Sequence, residues 1–85
     1  MMYNVFILRT AQKSLVSISA PYQDRVISAI RKLSVNPRPP GVKKMAGREA
    51  WRIRVGDYRV LYEIKDADLT VLVVDIGHRR EIYRY

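Results

Sequence analysis

Two groups of residues in this chain are equipped to act on an anion. Arg52, Arg54 and Arg59 flank a Gly56-Asp57 pair, and a Gly77-His78-Arg79-Arg80 segment is followed by Tyr83 and Tyr85. A guanidinium presents its N–H donors as a planar fork that matches phosphate oxygens, and it stays charged at any working pH. Tyrosine and histidine are the proton carriers available beside such a cluster. Tyr83 and Tyr85 either pack the terminus or offer a ring for base stacking and a phenol for proton transfer. His78, standing alone, reads more readily as a surface or structural residue. The chain has no cysteine and one histidine. Asp57, Asp66 and Asp68 sit in or beside turns, where aspartate is common for local reasons. Neither a metal site nor a cofactor is expected.

Whether the arginines converge depends on strand register. With Gly56 and Asp57 as the central residues of a hairpin turn, Val55 faces Tyr58, Arg54 faces Arg59, Ile53 faces Val60, Arg52 faces Leu61 and Trp51 faces Tyr62. Side chains alternate along a strand, so Trp51, Ile53, Val55, Tyr58, Val60, Tyr62 and Ile64 share one face and can receive helices. Arg52, Arg54 and Arg59 share the other. Like charges directly opposite destabilise a pair of strands by about 0.2–1 kcal/mol, so Arg54 and Arg59 require acidic neighbours or a use. Glu63 shares their face but lies further along. A solvated basic face is the bland alternative; the three arginines beside a basic loop favour an anion site. Lys43, Lys44, Arg48 and Arg80 are the flanking cations suited to a nucleic-acid backbone.

The elements that must position these groups follow from the apolar pattern. Tyr3 to Leu8 is a β-branched and aromatic run of strand length, and Thr10 offers an N-cap hydroxyl for a short helix with Ala11, Leu15 and Ile18 on one face. Ser19-Ala20-Pro21 opens a second helix, on which Tyr22, Val26, Ala29, Ile30 and Leu33 follow at helical spacing until Pro37 forbids continuation. Asn36 to Gly47, with three prolines, reads as a loop. From Glu49 to Ile76 the period is two, in three runs separated by Gly56-Asp57 and by Asp66-Ala67, both read as tight turns. The last run, Leu69 to Ile76, is apolar at nearly every position and predicts a central strand buried on both faces. Whether Arg79 or Arg80 joins the arginine face turns on a bulge at Gly77. The predicted order is β-α-α-β-β-β, an α+β fold with two N-terminal helices packed on a mostly antiparallel four-stranded sheet.

Composition bounds the rest. At 85 residues, with 48% hydrophobic residues, the chain fits one globular domain spanning residues 1–85. Sixteen Lys+Arg against eight Asp+Glu give a net charge of +8, the electrostatic footprint of a phosphate-rich partner. Seven of those cations (Arg38, Lys43, Lys44, Arg48, Arg52, Arg54 and Arg59) fall between Asn36 and Arg59, against only Glu49 and Asp57. The amino terminus lacks the features of a signal peptide, and no apolar run approaches membrane-spanning length. A cytoplasmic protein without a membrane partner is expected.

Lys44-Met45-Ala46-Gly47, Trp51-Arg52-Ile53-Arg54-Val55, Gly56-Asp57-Tyr58-Arg59-Val60-Leu61-Tyr62 and Val74-Asp75-Ile76-Gly77-His78-Arg79-Arg80-Glu81-Ile82-Tyr83 together resemble the RelE/ParE toxin superfamily, most closely its RelE branch. The resemblance spans essentially the whole chain. It implies the toxin of a type II toxin–antitoxin system, a metal-independent endoribonuclease that enters the ribosomal A site and cuts messenger RNA there, inhibiting translation. It also implies a cognate antitoxin that wraps around the toxin in a hetero-oligomer. By position, Arg52 and Arg54 match the two basic strand residues of the family, Arg59 the turn arginine, Arg79 the arginine after the last strand and Tyr83 the terminal tyrosine. Such residues bind the scissile phosphate and move protons, with Tyr83 as base, His78 as the fallback base, and Arg79 as phosphate ligand or proton donor.

The chain departs from the pattern in two respects. Strand positions often held by lysine are arginine here, and arginine does not readily exchange a proton, so the proton transfers fall to Tyr83 and His78. The chain also stops at Tyr85, leaving no room for the carboxy-terminal helix of some members. Within the fold, the alternative is a ParE-like poison of DNA gyrase, for which no nuclease site is needed. A non-catalytic RNA-binding or ribosome-associated domain is the other.

Overall fold

The computed structural model describes residues 2–47 and 49–78. Strand β1 (Asn4–Ile7) leads into helices α1 (Arg9–Val16) and α2 (Ala20–Lys32), followed by strands β2 (Lys43–Lys44), β3 (Trp51–Val55), β4 (Tyr58–Lys65) and β5 (Thr70–His78). The sheet order is β1-β5-β4-β3-β2, with β1 parallel to β5 and the other neighbours antiparallel. The α+β class and the element order match the sequence reading, and β5 is central as its apolar run predicts. The sheet nevertheless has five strands rather than four. Lys43 and Lys44 carry no strand signal of their own; the loop returns beside β3 and pairs Lys43 with Arg52 and Lys44 with Trp51. A two-residue edge strand of lysines also discourages pairing with other chains.

Helix starts and turns differ in detail from expectation. Thr10 is not an N-cap: α1 begins at Arg9 behind an extended Leu8, with no side-chain cap, which leaves Thr10 inside the first turn. Gln12 ties the entry instead, donating from Nε2 to the Ile7 carbonyl at 2.8 Å. Ser19 precedes α2 and Pro21 occupies its first turn, as predicted. The Asp66-Ala67 turn is longer than expected, a 3-10 turn over Asp66–Asp68 closed by Leu69 at φ 47°. A left-handed non-glycine residue costs about 1–2 kcal/mol. Leu69 is held there by hydrogen bonds through both backbone groups, its N–H to Asp66 O at 3.2 Å and its carbonyl from the Asn4 N–H at 2.7 Å.

The main core lies between the helices and one sheet face. Ala11, Ile18, Val26, Ile30 and Leu33 pack against Ile53, Val60, Tyr62, Val71, Val73 and Ile76. Tyr62 is fully buried, and its phenol donates to the Pro37 carbonyl at 2.7 Å. Burial raises the pKa of that phenol, so it stays a neutral donor. Tyr22, at helical spacing with the core residues of α2, is 44% exposed; it lies over the hairpin end, its ring 6.0 Å from that of Tyr58. On the far face, a smaller cluster joins buried Leu61 and Val74 to Met45 and Leu72.

One irregularity decides which side chains reach that far face. Tyr62 pairs with Val73 but Leu61 pairs with Asp75, so Val74 is an extra residue in β5. Val71 and Val73 enter the core before this bulge, and Ile76 enters it after. The bulge therefore reverses the parity of the strand's end.

Candidate functional site: a basic cleft on the open sheet face

The β3–β4 hairpin has the predicted register at all five pairs, from Trp51 opposite Tyr62 to Val55 opposite Tyr58. Its turn has positive φ at Gly56 (59°) and not at Asp57, the type II′ pattern whose twist matches that of the flanking strands. Arg54 and Arg59 are thus directly opposed, and Arg52 sits one alternation away on the same face.

These three arginines line a cleft with Lys43 and Gly41. β2 brings Lys43 in, because the residue opposite Arg52 must share its face. The cleft holds about 90 Å³, room for a few waters or one phosphate-sized group and far less than a nucleotide occupies. Arg54 is exposed and Arg52 half-buried, whereas Arg59 is 7% exposed, the one charged residue buried among the described residues. A charge held in such low-dielectric surroundings acts on a neighbouring anion more strongly than one in water.

Two acids among the described residues of this face have partners of their own. Glu63 sits 3.3 Å from Lys65, and the Asp75 carboxylate accepts the Ile76 N–H at 2.9 Å. Among the described residues, Arg52, Arg54 and Lys43 form no ion pair. Those three cations are a concentration of positive charge that an anion would relieve.

The loop that delivers Lys43 is anchored by residues the sequence reading did not connect. Arg38 makes a two-pronged contact with Asp66, at 3.2 and 2.9 Å, and lies 5.0 Å over the Trp51 ring. Tyr3 donates to the same carboxylate at 2.7 Å. The Arg38 bonds, then the Tyr3 bond, lower the Asp66 pKa to about 2. The donated bond to Asp66 raises the pKa of the Tyr3 phenol. The signal for this anchor was faint: the partners are separated by 28 positions, and an arginine in a basic loop looks like one more phosphate contact.

The remaining candidates divide. Lys44 pairs with Trp51, so alternation turns it away from the arginines, and its ammonium lies 3.5 Å from Glu49. His78 pairs with Tyr58, and the two rings meet edge-on at 5.8 Å on the helix-bearing face. The sheet thus lies between the arginine cleft and this residue, which the sequence reading holds as fallback base. The bulge in β5 is at Val74, and Gly77, where the sequence left a bulge open, pairs regularly with Arg59. Arg48, Arg79, Arg80 and Tyr83 lie outside the described residues.

Comparison with known proteins agrees with this architecture. The chain matches the family model described as the ParE toxin of the type II toxin–antitoxin system, parDE, over residues 5–83. It is 31% identical to Toxin RelG of Mycobacterium tuberculosis over 90 aligned positions, covering 99% of each chain. Its fold resembles that in the crystal structure of the archaeal RelE–RelB complex from Pyrococcus horikoshii, with a TM-score of 0.84, 28% identity and coverage of 95% of this chain and 99% of that one. A similar match is found to the RelBE2 toxin–antitoxin complex of Mycobacterium tuberculosis, with a TM-score of 0.81, 28% identity and coverage of 93% and 100%. No helix among the described residues is long and apolar enough to cross a membrane. With the family model matched along nearly its whole length and a RelG toxin aligned end to end, the chain belongs to the ParE toxin family of type II toxin–antitoxin systems, within the RelE/ParE superfamily.

Proposed function

We propose that this toxin is a ribosome-dependent, metal-independent endoribonuclease that cleaves messenger RNA in the A site. The observation that carries the reading is the convergence of Arg52, Arg54, buried Arg59 and Lys43 on one phosphate-sized cleft. In such a reaction a base takes the proton of a ribose 2′-hydroxyl, the freed oxygen attacks the adjacent phosphorus, and the bond to the 5′-oxygen of the next nucleotide breaks as that oxygen is protonated. Negative charge accumulates on a five-coordinate phosphorus, and fixed cations that need no reorganisation stabilise it. Arg52, Arg54 and Arg59 take that role; Tyr83 serves as base and Arg79 as phosphate ligand or proton donor. An unperturbed tyrosine has a pKa near about 10, so neighbouring arginines must lower it for this work. Lys43, Lys44, Arg48 and Arg80 hold the flanking RNA.

The partner follows from the relatives. The Pyrococcus and Mycobacterium structures are complexes of toxin with antitoxin, which supports a cognate antitoxin bound to this chain in a hetero-oligomer. We place it in the cytoplasm as a single domain over residues 1–85.

The decisive experiment supplies the protein to translating ribosomes and maps new RNA 5′ ends. Cleavage within A-site codons is expected, and it should vanish in the Arg52→Ala/Arg54→Ala/Arg59→Ala variant while antitoxin binding survives. A second reading has its own support, because the matching family model is that of ParE: a poison of DNA gyrase. Intact message together with blocked supercoiling in a parallel gyrase assay would establish that reading instead.

A further inference from the structure

The structure has a second polar cleft, on the other face of the sheet. It lies between α1 and the end of β5, lined by Ser14, Ser17, Ile18, Tyr58, Gly77 and His78, with a volume of about 210 Å³. We propose that this cleft binds a single nucleobase bearing an exocyclic amine, presented by single-stranded RNA. The proposal relies on the RNA-directed reading above only for the source of the base.

The hydrogen-bonding groups define the ligand. Ser14 Oγ donates to the Thr10 carbonyl at 3.2 Å and Ser17 Oγ donates to the Ser14 carbonyl at 2.7 Å. Each hydroxyl has given its only proton to a carbonyl of the α1 backbone, so each offers a ligand only lone pairs. Two such oxygens favour a group with two protons to give: the exocyclic amine of adenine, cytosine or guanine carries two N–H bonds, where uracil offers the single N3–H. The Tyr58 hydroxyl and the His78 imidazole make no hydrogen bond among the described residues. Both are half-buried, a position in which an uncommitted polar group gains from a partner.

Shape and stacking point the same way. Pockets for drug-sized ligands run to about 300–1,000 Å³; this smaller one suits one base and excludes a dinucleotide. Its aromatic wall is part of a series in which His78 packs on Tyr58, Tyr58 on Tyr22, and the Arg25 guanidinium lies 5.8 Å from the Tyr22 ring. Rings and guanidinium planes of this kind are the surfaces on which unpaired bases stack. The site also gives His78 a role that its distance from the arginine cleft denies it in phosphate chemistry.

Uncharged nucleosides test the site without engaging the arginines. The protein would be titrated with adenosine, cytidine and uridine while the NMR resonances of Ser14, Ser17, Tyr58 and His78 are followed. Saturable shifts are expected with adenosine and cytidine, with uridine at least roughly tenfold weaker for want of the amine. Ser17→Ala and, separately, His78→Ala should each weaken adenosine by roughly tenfold while the rest of the spectrum shows an intact fold. Saturating inorganic phosphate should leave the titration unchanged. Absence of saturable shifts, equal affinity for uridine, or indifference to both substitutions overturns the proposal. Nucleoside binding by a protein that cuts no RNA upholds this site and removes the nuclease reading alone; RNA cleavage without nucleoside binding removes only this site.

Discussion

Tyr58 and His78 face each other across the ends of β4 and β5, their rings edge-on with centroids 5.8 Å apart, on the face of the sheet that carries the helices. The arginines occupy the opposite face, so an imidazole so near in sequence to the basic segment is separated from the basic cleft by the thickness of the sheet. His78→Ala should therefore spare the chemical step. At saturating ribosomes the single-turnover cleavage rate should stay within about threefold of wild type, while Arg52→Ala should lose about 100-fold or more. A loss for His78→Ala as deep as that for Arg52→Ala would return the imidazole to the reacting phosphate.

Arg54 and Arg59 set function against stability. They are directly opposed on adjacent strands, and Arg59 is buried whereas Arg54 is exposed. Removing Arg54 relieves the repulsion without opening a cavity. Arg54→Ala should raise the free energy of unfolding by about 0.2–1 kcal/mol in urea titrations and at the same time reduce cleavage. A lower unfolding midpoint for Arg54→Ala would mean that the pair does not repel in the free protein.

The Arg38–Asp66 anchor makes acid stability depend on one exposed carboxylate. Its folded pKa is about 2, below the unfolded value of about 3.9, so the folded state binds the proton less tightly than the unfolded chain does. The stabilisation is fully present above the unfolded pKa and is lost as pH falls through about 2. Wild type should thus exceed Asp66→Asn in urea midpoint at pH 6, with the gap closing between about pH 4 and 2. A gap that persists unchanged at pH 2 would show that the ion pair with Arg38 is not its origin.

What the sequence made legible depended on how much information each segment carried. The hairpin could be read residue by residue because Gly56-Asp57 marks its turn, arginine alternates with apolar residues before it and Arg59 follows it, so a slip of one position would bury charge. β5 offered no such check. From Val71 to Val74 every residue is apolar, either parity looks equally buried, and an extra residue leaves no trace in the pattern. The side on which His78 emerges was therefore invisible, although its strand was not. β2 was missed for a different reason, since two lysines acquire strand geometry only from their neighbour, and with them went the placement of Lys43 beside Arg52 and of Lys44 away from it.

Deleting Val74 tests that account of β5. The pairings on either side, Tyr62 with Val73 and Leu61 with Asp75, become a regular ladder when the extra residue is removed. The parallel pairing with β1 ends at Val73, so it lies upstream of the change and needs no adjustment. Deletion of a residue from a central strand ordinarily reverses every side chain beyond it. Here Ile76 should remain in the core and His78 should remain against Tyr58, visible as ring-to-ring contacts in NMR spectra. The loss should be confined to the buried Val74 side chain and its packing on Leu61, about 1.5–3 kcal/mol, with Val74→Ala losing less. If the deletion instead carries His78 to the arginine face or unfolds the chain, the parity of β5 is set by something other than this one extra residue.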